Sequence, residues 1–223
     1  MNNSINLPLH HLLDGPDIKI ELHEATGTME KFKGVPEQMI RAFCSSIENG
    51  TVRLTGRKLV LPPDSITPRA FCHILEWMLA TCESRYTYHI HIKYRSIENF
   101  DVYKGLAYLG INGPKADLER YFAGYLIGQR LTQEELNHFH RNAEPDSEFA
   151  KHLYSVIERK RWQKKLGNEE VEFIEAHPDF KARVDAVSQD IKERRERQKV
   201  LDHQKVSDRA QESESTGTSP GSS

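Results

Sequence analysis

Five residues within a short stretch of this chain carry side chains suited to chemistry: Cys72, His73, Cys82, His89 and His91. Thiolate sulfur and imidazole nitrogen are ligands that zinc takes in tetrahedral sites, and His89 and His91 share one face if the chain there is extended. Cys82, His89 and His91 are thus the candidate set for a metal-binding regulatory protein. Two features weigh against it. No C-x-x-C pair is present, and adjacent residues on a helix point about 100° apart, so Cys72 and His73 do not converge on one ion. The five read better as core thiols and a solvated face, and no metal or other cofactor is expected. A Cys/His nucleophile requires an exposed thiolate in an electropositive setting, which nothing nearby suggests. The phosphate-cradling loops G-x-x-x-x-G-K-S/T and G-x-G-x-x-G are missing, as are an H-E-x-x-H helix and a G-x-S-x-G elbow between strand and helix. No enzyme and no small-molecule substrate are expected.

Two clusters could contact anions. One is Arg159-Lys160-Arg161 with Lys164-Lys165. The other, residues 192–199, is interrupted by Glu193 and Glu196 at the spacing of pairs along a solvated helix. Both are expected to be charged helical faces, with nucleic-acid contact as the alternative.

The elements that must position these residues are legible in part. Ile18, Ile20 and Leu22 alternate with charged residues, the period of a strand with one buried face, and residues 32–35 suit its hairpin partner. Pro36, followed by Met39, Ile40, Phe43 and Ile47 and stopped by Gly50, predicts a short helix. Two short strands follow, with Val52 and Leu54 before Gly56 and with Leu59 and Leu61 after it. Thr67 and Pro68 then open a helix whose apolar positions, Phe71, Ile74, Leu75, Met78, Leu79 and Cys82, form a complete i, i+3, i+4 ladder. Ala70, Trp77 and Ala80 widen that ladder, which places the helix at the centre of the fold, assigns Trp77 to packing, and leaves Arg69, His73, Glu76 and Thr81 for polar surroundings. Residues 86–94 alternate Tyr86, Tyr88, Ile90, Ile92 and Tyr94 with polar residues and predict a strand. At a sheet edge, Tyr86, Tyr88 and Ile90 would offer a partner aromatic and aliphatic anchors.

Helices are predicted from Ser96 to Gly110 and from about Pro114 to Gly128. Beyond Leu131 the pattern is wholly helical: a Thr132–Glu135 capping box, a long helix over 146–166, a shorter one over 168–176, and a last one from Asp179 to about Lys205. On the last, Phe180, Val184, Val187 and Ile191 recur at four, three and four. Val184, Val187 and Ile191 are therefore candidate partner-binding residues, although the stripe is short for a coiled coil and also suits docking on the chain's own body.

The chain has 223 residues with Lys+Arg 31 against Asp+Glu 33, a net charge of −2 that provides no global field for nucleic acid. Its mean hydropathy of −0.66 is low for a chain packed throughout. The tail 207–223 holds one hydrophobic residue, Ala210, and is expected to be disordered; it also carries Arg209 and three acids, so the remainder is electrically balanced. Cys44, Cys72 and Cys82, odd in number and within apolar segments, are expected to be reduced core thiols. The start of the chain lacks a basic region followed by an apolar run, and no stretch reaches the ~20 apolar residues of a membrane span. A cytoplasmic or nuclear protein with no membrane contact is expected.

The order of elements, carried by residues 35–46 (VPEQMIRAFCSS), 59–79 (LVLPPDSITPRAFCHILEWML) and 106–110 (LAYLG), resembles a BTB/POZ domain, the fold also used by Skp-type adaptors. It is similar, more narrowly, to small fungal BTB-like proteins with a helical extension. The resemblance implies an α+β fold: an N-terminal arm over 1–16, a BTB/POZ-like domain over 17–128 with a small sheet packed on a helical cluster, an all-helical extension over 129–206, and the tail. It further implies a protein–protein interaction module that forms a homodimer or acts as an adaptor, including for cullin-type ubiquitin ligases. Pro36 stands where many members carry His.

Overall fold

The computed structural model describes residues 9–23, 27, 29–84 and 89–215, with 195 and 200–215 as backbone alone. Among these residues the fold is α+β: a four-stranded mixed sheet and nine α-helices. Contacts divide the chain into two units, Met1–Ala150 and Lys151–Ser223.

In the first unit, β1 (Asp17–His23) is central and pairs antiparallel with β2 (Met29–Pro36) and parallel with β4 (Lys58–Leu61); β3 (Leu54–Thr55) closes the order β2-β1-β4-β3. The register of β1 on β2 shifts between Ile18 and Ile20, opposite Gly34 at φ 70°. This is a bulge whose extra residue needs the left-handed conformation that glycine takes without strain. The apolar half of the alternation predicted for β1 holds, since Ile18, Ile20 and Leu22 are buried with Leu59 and Leu61, but Glu21 on the opposite face is buried as well.

One predicted helix over 36–50 is two: α1 (Glu37–Phe43) and α2 (Ser45–Glu48), broken at Cys44. The break turns α2 onto the end of α4 (Ser96–Leu109), where Ser45 Oγ donates to the Gly110 carbonyl at 2.7 Å and Ser46 Oγ to that of Tyr108 at 2.6 Å. Gly110 stops α4 at φ 72°, and a Cβ there would clash with Ser45 Oγ and lie 3.0 Å from Ser46 Oγ.

The central helix α3 (Pro68–Glu83) is capped by Thr67, whose hydroxyl accepts from the Ala70 amide. Phe71 meets Phe32 of β2 edge-on at 5.1 Å, and Trp77 meets Phe43 of α1 at 5.2 Å. Three details differ from expectation. Leu79 is exposed, Cys72 is exposed while Cys44 and Cys82 are core thiols, and His73 is buried. Burial of His73 is tolerated because Nε2 donates to the His91 carbonyl at 2.8 Å.

That bond belongs to the correction of the strand predicted over 86–94. Residues 89–94 are irregular, and 85–88 lie outside the described residues. The backbone finds side chains in place of a ladder: besides His73 on His91, Asn99 of α4 accepts from the Lys93 amide (2.7 Å) and donates to the Lys93 carbonyl (2.9 Å). Ile90 is buried and Tyr94 is fully exposed.

Helix α5 (Asn112–Gly128) and α6 (Gln133–Asn142) complete the first unit with the start of α7 (Glu148–Trp162). Their core is aromatic, with Phe100 and Phe149 at 4.6 Å, Phe100 and Phe139 at 5.1 Å, and Phe122 and Phe149 at 5.0 Å between centroids. The capping box is present, and its Glu135 also accepts from Ser96 and Tyr125. Burial pushes the Glu135 carboxyl up, but these hydrogen bonds with those of Thr132 outweigh it and hold the group below the usual range.

The second unit is helical: the rest of α7, α8 (Asn168–Ala176) and α9 (Pro178–Ser215). Helix α9 continues through 207–215, and 216–223 lie outside the described residues. No helix among the described residues is long and apolar enough to cross a membrane.

Candidate partner-binding site

The apolar spacing on α9 leads from the core of the second unit to its surface. Phe180 and Val184 are fully buried, Val187 is half-buried, and Ile191 is 37% exposed. Phe180 meets the Tyr154 ring of α7 at 5.3 Å and the Phe173 ring of α8 at 5.2 Å. The front of the stripe therefore packs within its own unit. Only its far end, Ile191, is available to anything else.

Beside it stands Trp162, the last residue of α7, 73% exposed. Between them runs a groove of about 400 Å³, walled by Ser155, Glu158, Arg159 and Trp162 on α7 and by Ser188, Ile191 and Lys192 on α9. Each wall is one face of a helix, since its residues recur at three, four or seven.

Local chemistry holds these walls. Helix α7 ends with Lys164 at φ 56°, as the Lys165 amide donates back to the Lys160 carbonyl at 2.8 Å and the Lys164 amide to that of Arg161 at 3.1 Å. The buried Lys160 ammonium donates to Glu170 Oε1 at 2.9 Å, and Glu170 Oε2 accepts from the Gly167 amide, which starts α8. Arg161 ties α7 to α9 through Asp185 at 2.7 Å and pairs with Glu158 on its own helix. Burial works against the Arg161 charge, but Asp185 and Glu158 outweigh it and raise its pKa.

These pairs engage most of the nearby acids; the Glu193 carboxylate accepts from Gln189 instead of a cation. Asp190 is taken by Arg194 and Glu196 by Lys199, whereas among the described residues Arg159, Lys164, Lys165 and Lys192 make no ion pair. The groove thus offers an indole, an aliphatic side chain and uncompensated positive charge, the means to bind an apolar group set among anions.

No protein-family model, curated protein or solved structure matches this chain.

The other candidates fall elsewhere. Tyr86 and Tyr88 lie outside the described residues, and Ile90 is in the core of the first unit. Cys82 is buried on α3, whereas His89 is largely exposed and pairs with Asp117 at 3.0 Å. Among the described residues no three His, Cys, Asp or Glu side chains gather so as to hold a metal. Sequence reasoning passed over Trp162. Its signal is an aromatic interrupting a basic run, on the face of α7 opposite Leu153, Val156 and Ile157. The two basic clusters, far apart in sequence, meet at this groove through Arg159 and Lys192.

Proposed function

We propose that this chain is a non-enzymatic protein-interaction module: a divergent BTB/POZ-like domain, with a helical extension that carries the contact surface. The observation that carries the reading is the apolar stripe of α9, which leaves its own packing at Ile191 beside the exposed Trp162. The BTB/POZ-like part is supported by the α+β architecture and by the junction of two of the resembling segments, Ser45 and Ser46 against Gly110. It acts in the cytoplasm or nucleus by self-association or as an adaptor, including for cullin-type ubiquitin ligases.

A photo-crosslinking residue placed at Ser188, in the groove, tests this in the cells that make the protein. A protein adduct at Ser188 that exceeds any at Ala182, exposed and outside the groove, is expected; equal labelling at the two positions overturns the reading. Light scattering over a concentration series then separates self-association from capture of a second protein.

A further inference from the structure

We infer that the occupant of the groove is an acidic amphipathic helix of about two turns, supplied by a different protein; this rests on the interaction reading above. The shape argues for a helix. The α7 wall runs from Ser155 to Trp162, and at 1.5 Å per residue that is roughly 11 Å, about two helical turns. Both walls are helix faces, so a third helix extends the packing that α7 and α9 already make. Ser155 and Ser188 are small, and the Ser155 hydroxyl is already bonded to the Lys151 carbonyl at 2.8 Å. Between these serines and the larger Trp162 and Ile191 is space for the side-chain knobs of such a helix.

Charge selects its composition. Arg159 and Lys192 line the groove and, among the described residues, have no acidic partner, while the lining Glu158 is held by Arg161 and Glu193, beside Lys192, accepts from Gln189. Glu or Asp flanking an apolar stripe on the incoming helix would meet these free cations. The same charges argue against a second copy of this chain, because a two-fold contact sets one patch against itself and brings two positive rims together. A nucleic-acid strand needs successive stacking faces, and among the described residues the groove is lined by one aromatic side chain, Trp162, set against aliphatic Ile191.

The test is fluorescence anisotropy with the full chain and labelled peptides of roughly 15 residues, about four turns. One carries Leu at i, i+3, i+4 and i+7 with Glu on the remaining face; its match has Lys for Glu; an oligothymidylate of similar length is the third probe. The acidic peptide is expected to bind in the micromolar range, with the basic one weaker by about tenfold or more and affinity falling as salt rises. Trp162→Ala, at an exposed position, lowers acidic-peptide affinity by about tenfold, and Lys192→Glu by a smaller factor. Circular dichroism of both variants checks that they fold. Equal binding of both peptides, lost in Trp162→Ala, overturns the acidic assignment and leaves the interaction reading standing. Binding of neither peptide overturns this inference, and equal crosslinking at Ser188 and Ala182 is what overturns that reading. Oligothymidylate binding that Trp162→Ala abolishes, or a doubling of mass that it abolishes, overturns the inference in favour of nucleic acid or a second copy.

Discussion

Glu21 sits on the central strand with 4% of its surface exposed, held by Lys19 and Lys58 at 2.6 Å each. Hydrogen bonds from Lys19 and then Lys58 outweigh the opposing effect of burial and pull its carboxyl from 4.5 to about 2. A depressed carboxyl stabilises the fold fully above its ordinary value, and that contribution is lost as pH falls from there through the folded value. Glu21→Gln is therefore expected to flatten the loss of stability between about pH 4.5 and 2, read by circular dichroism in an acid titration. In the second unit the corresponding residue is Lys160. Lys160→Ala removes the cation paired with the fully buried Glu170, and denaturant unfolding is expected to show a loss of about 3–5 kcal/mol. Neither partnership was readable beforehand: Glu21 looked like the solvated side of an alternating strand, and Lys160 like one member of a basic cluster.

The elements differ in how much of them is written locally. Helix starts at Thr67 and Thr132 and the stop at Gly110 were legible, because caps involve residues within a turn of one another. The groove was legible in half: the spacing from Phe180 to Ile191 named one wall, while Trp162 was hidden in a charged run. Residues 89–94 show the limit. Their alternation suits a strand, yet His73 and Asn99, contributed by two helices, take the hydrogen bonds that a ladder would have taken. Gly110 has both a local and a distant role. Gly110→Ala combines a left-handed conformation, costing roughly 1–2 kcal/mol, with a clash against Ser45 and Ser46, and thermal unfolding is expected to show at least that loss. Gly128→Ala, where nothing lies near a new Cβ and φ is not positive, is the control and is expected to be neutral or stabilising.

At the scale of the molecule, each unit has its own apolar core, and on α9 the described side chains beyond Ile191 are polar. Residues 192–194 and 196–199 are exposed and are joined by pairs within the helix, Arg194 with Asp190 and Lys199 with Glu196. Deleting 207–223, with Ala210 its one hydrophobic residue, is expected to leave the calorimetric melting temperature unchanged within about 1 °C. The sequence by itself determined the strand over residues 18–22, the helical character of the second half and the apolar stripe of α9, because periodicity and capping act over a few residues. Tertiary structure alone decided the parallel pairing of β1 with β4, the fate of residues 89–94, and the meeting of Arg159, Trp162, Ile191 and Lys192 around one groove. A local pattern states which face of an element is apolar, whereas the partner that covers this face, or leaves it open, is set by contacts between residues distant along the chain.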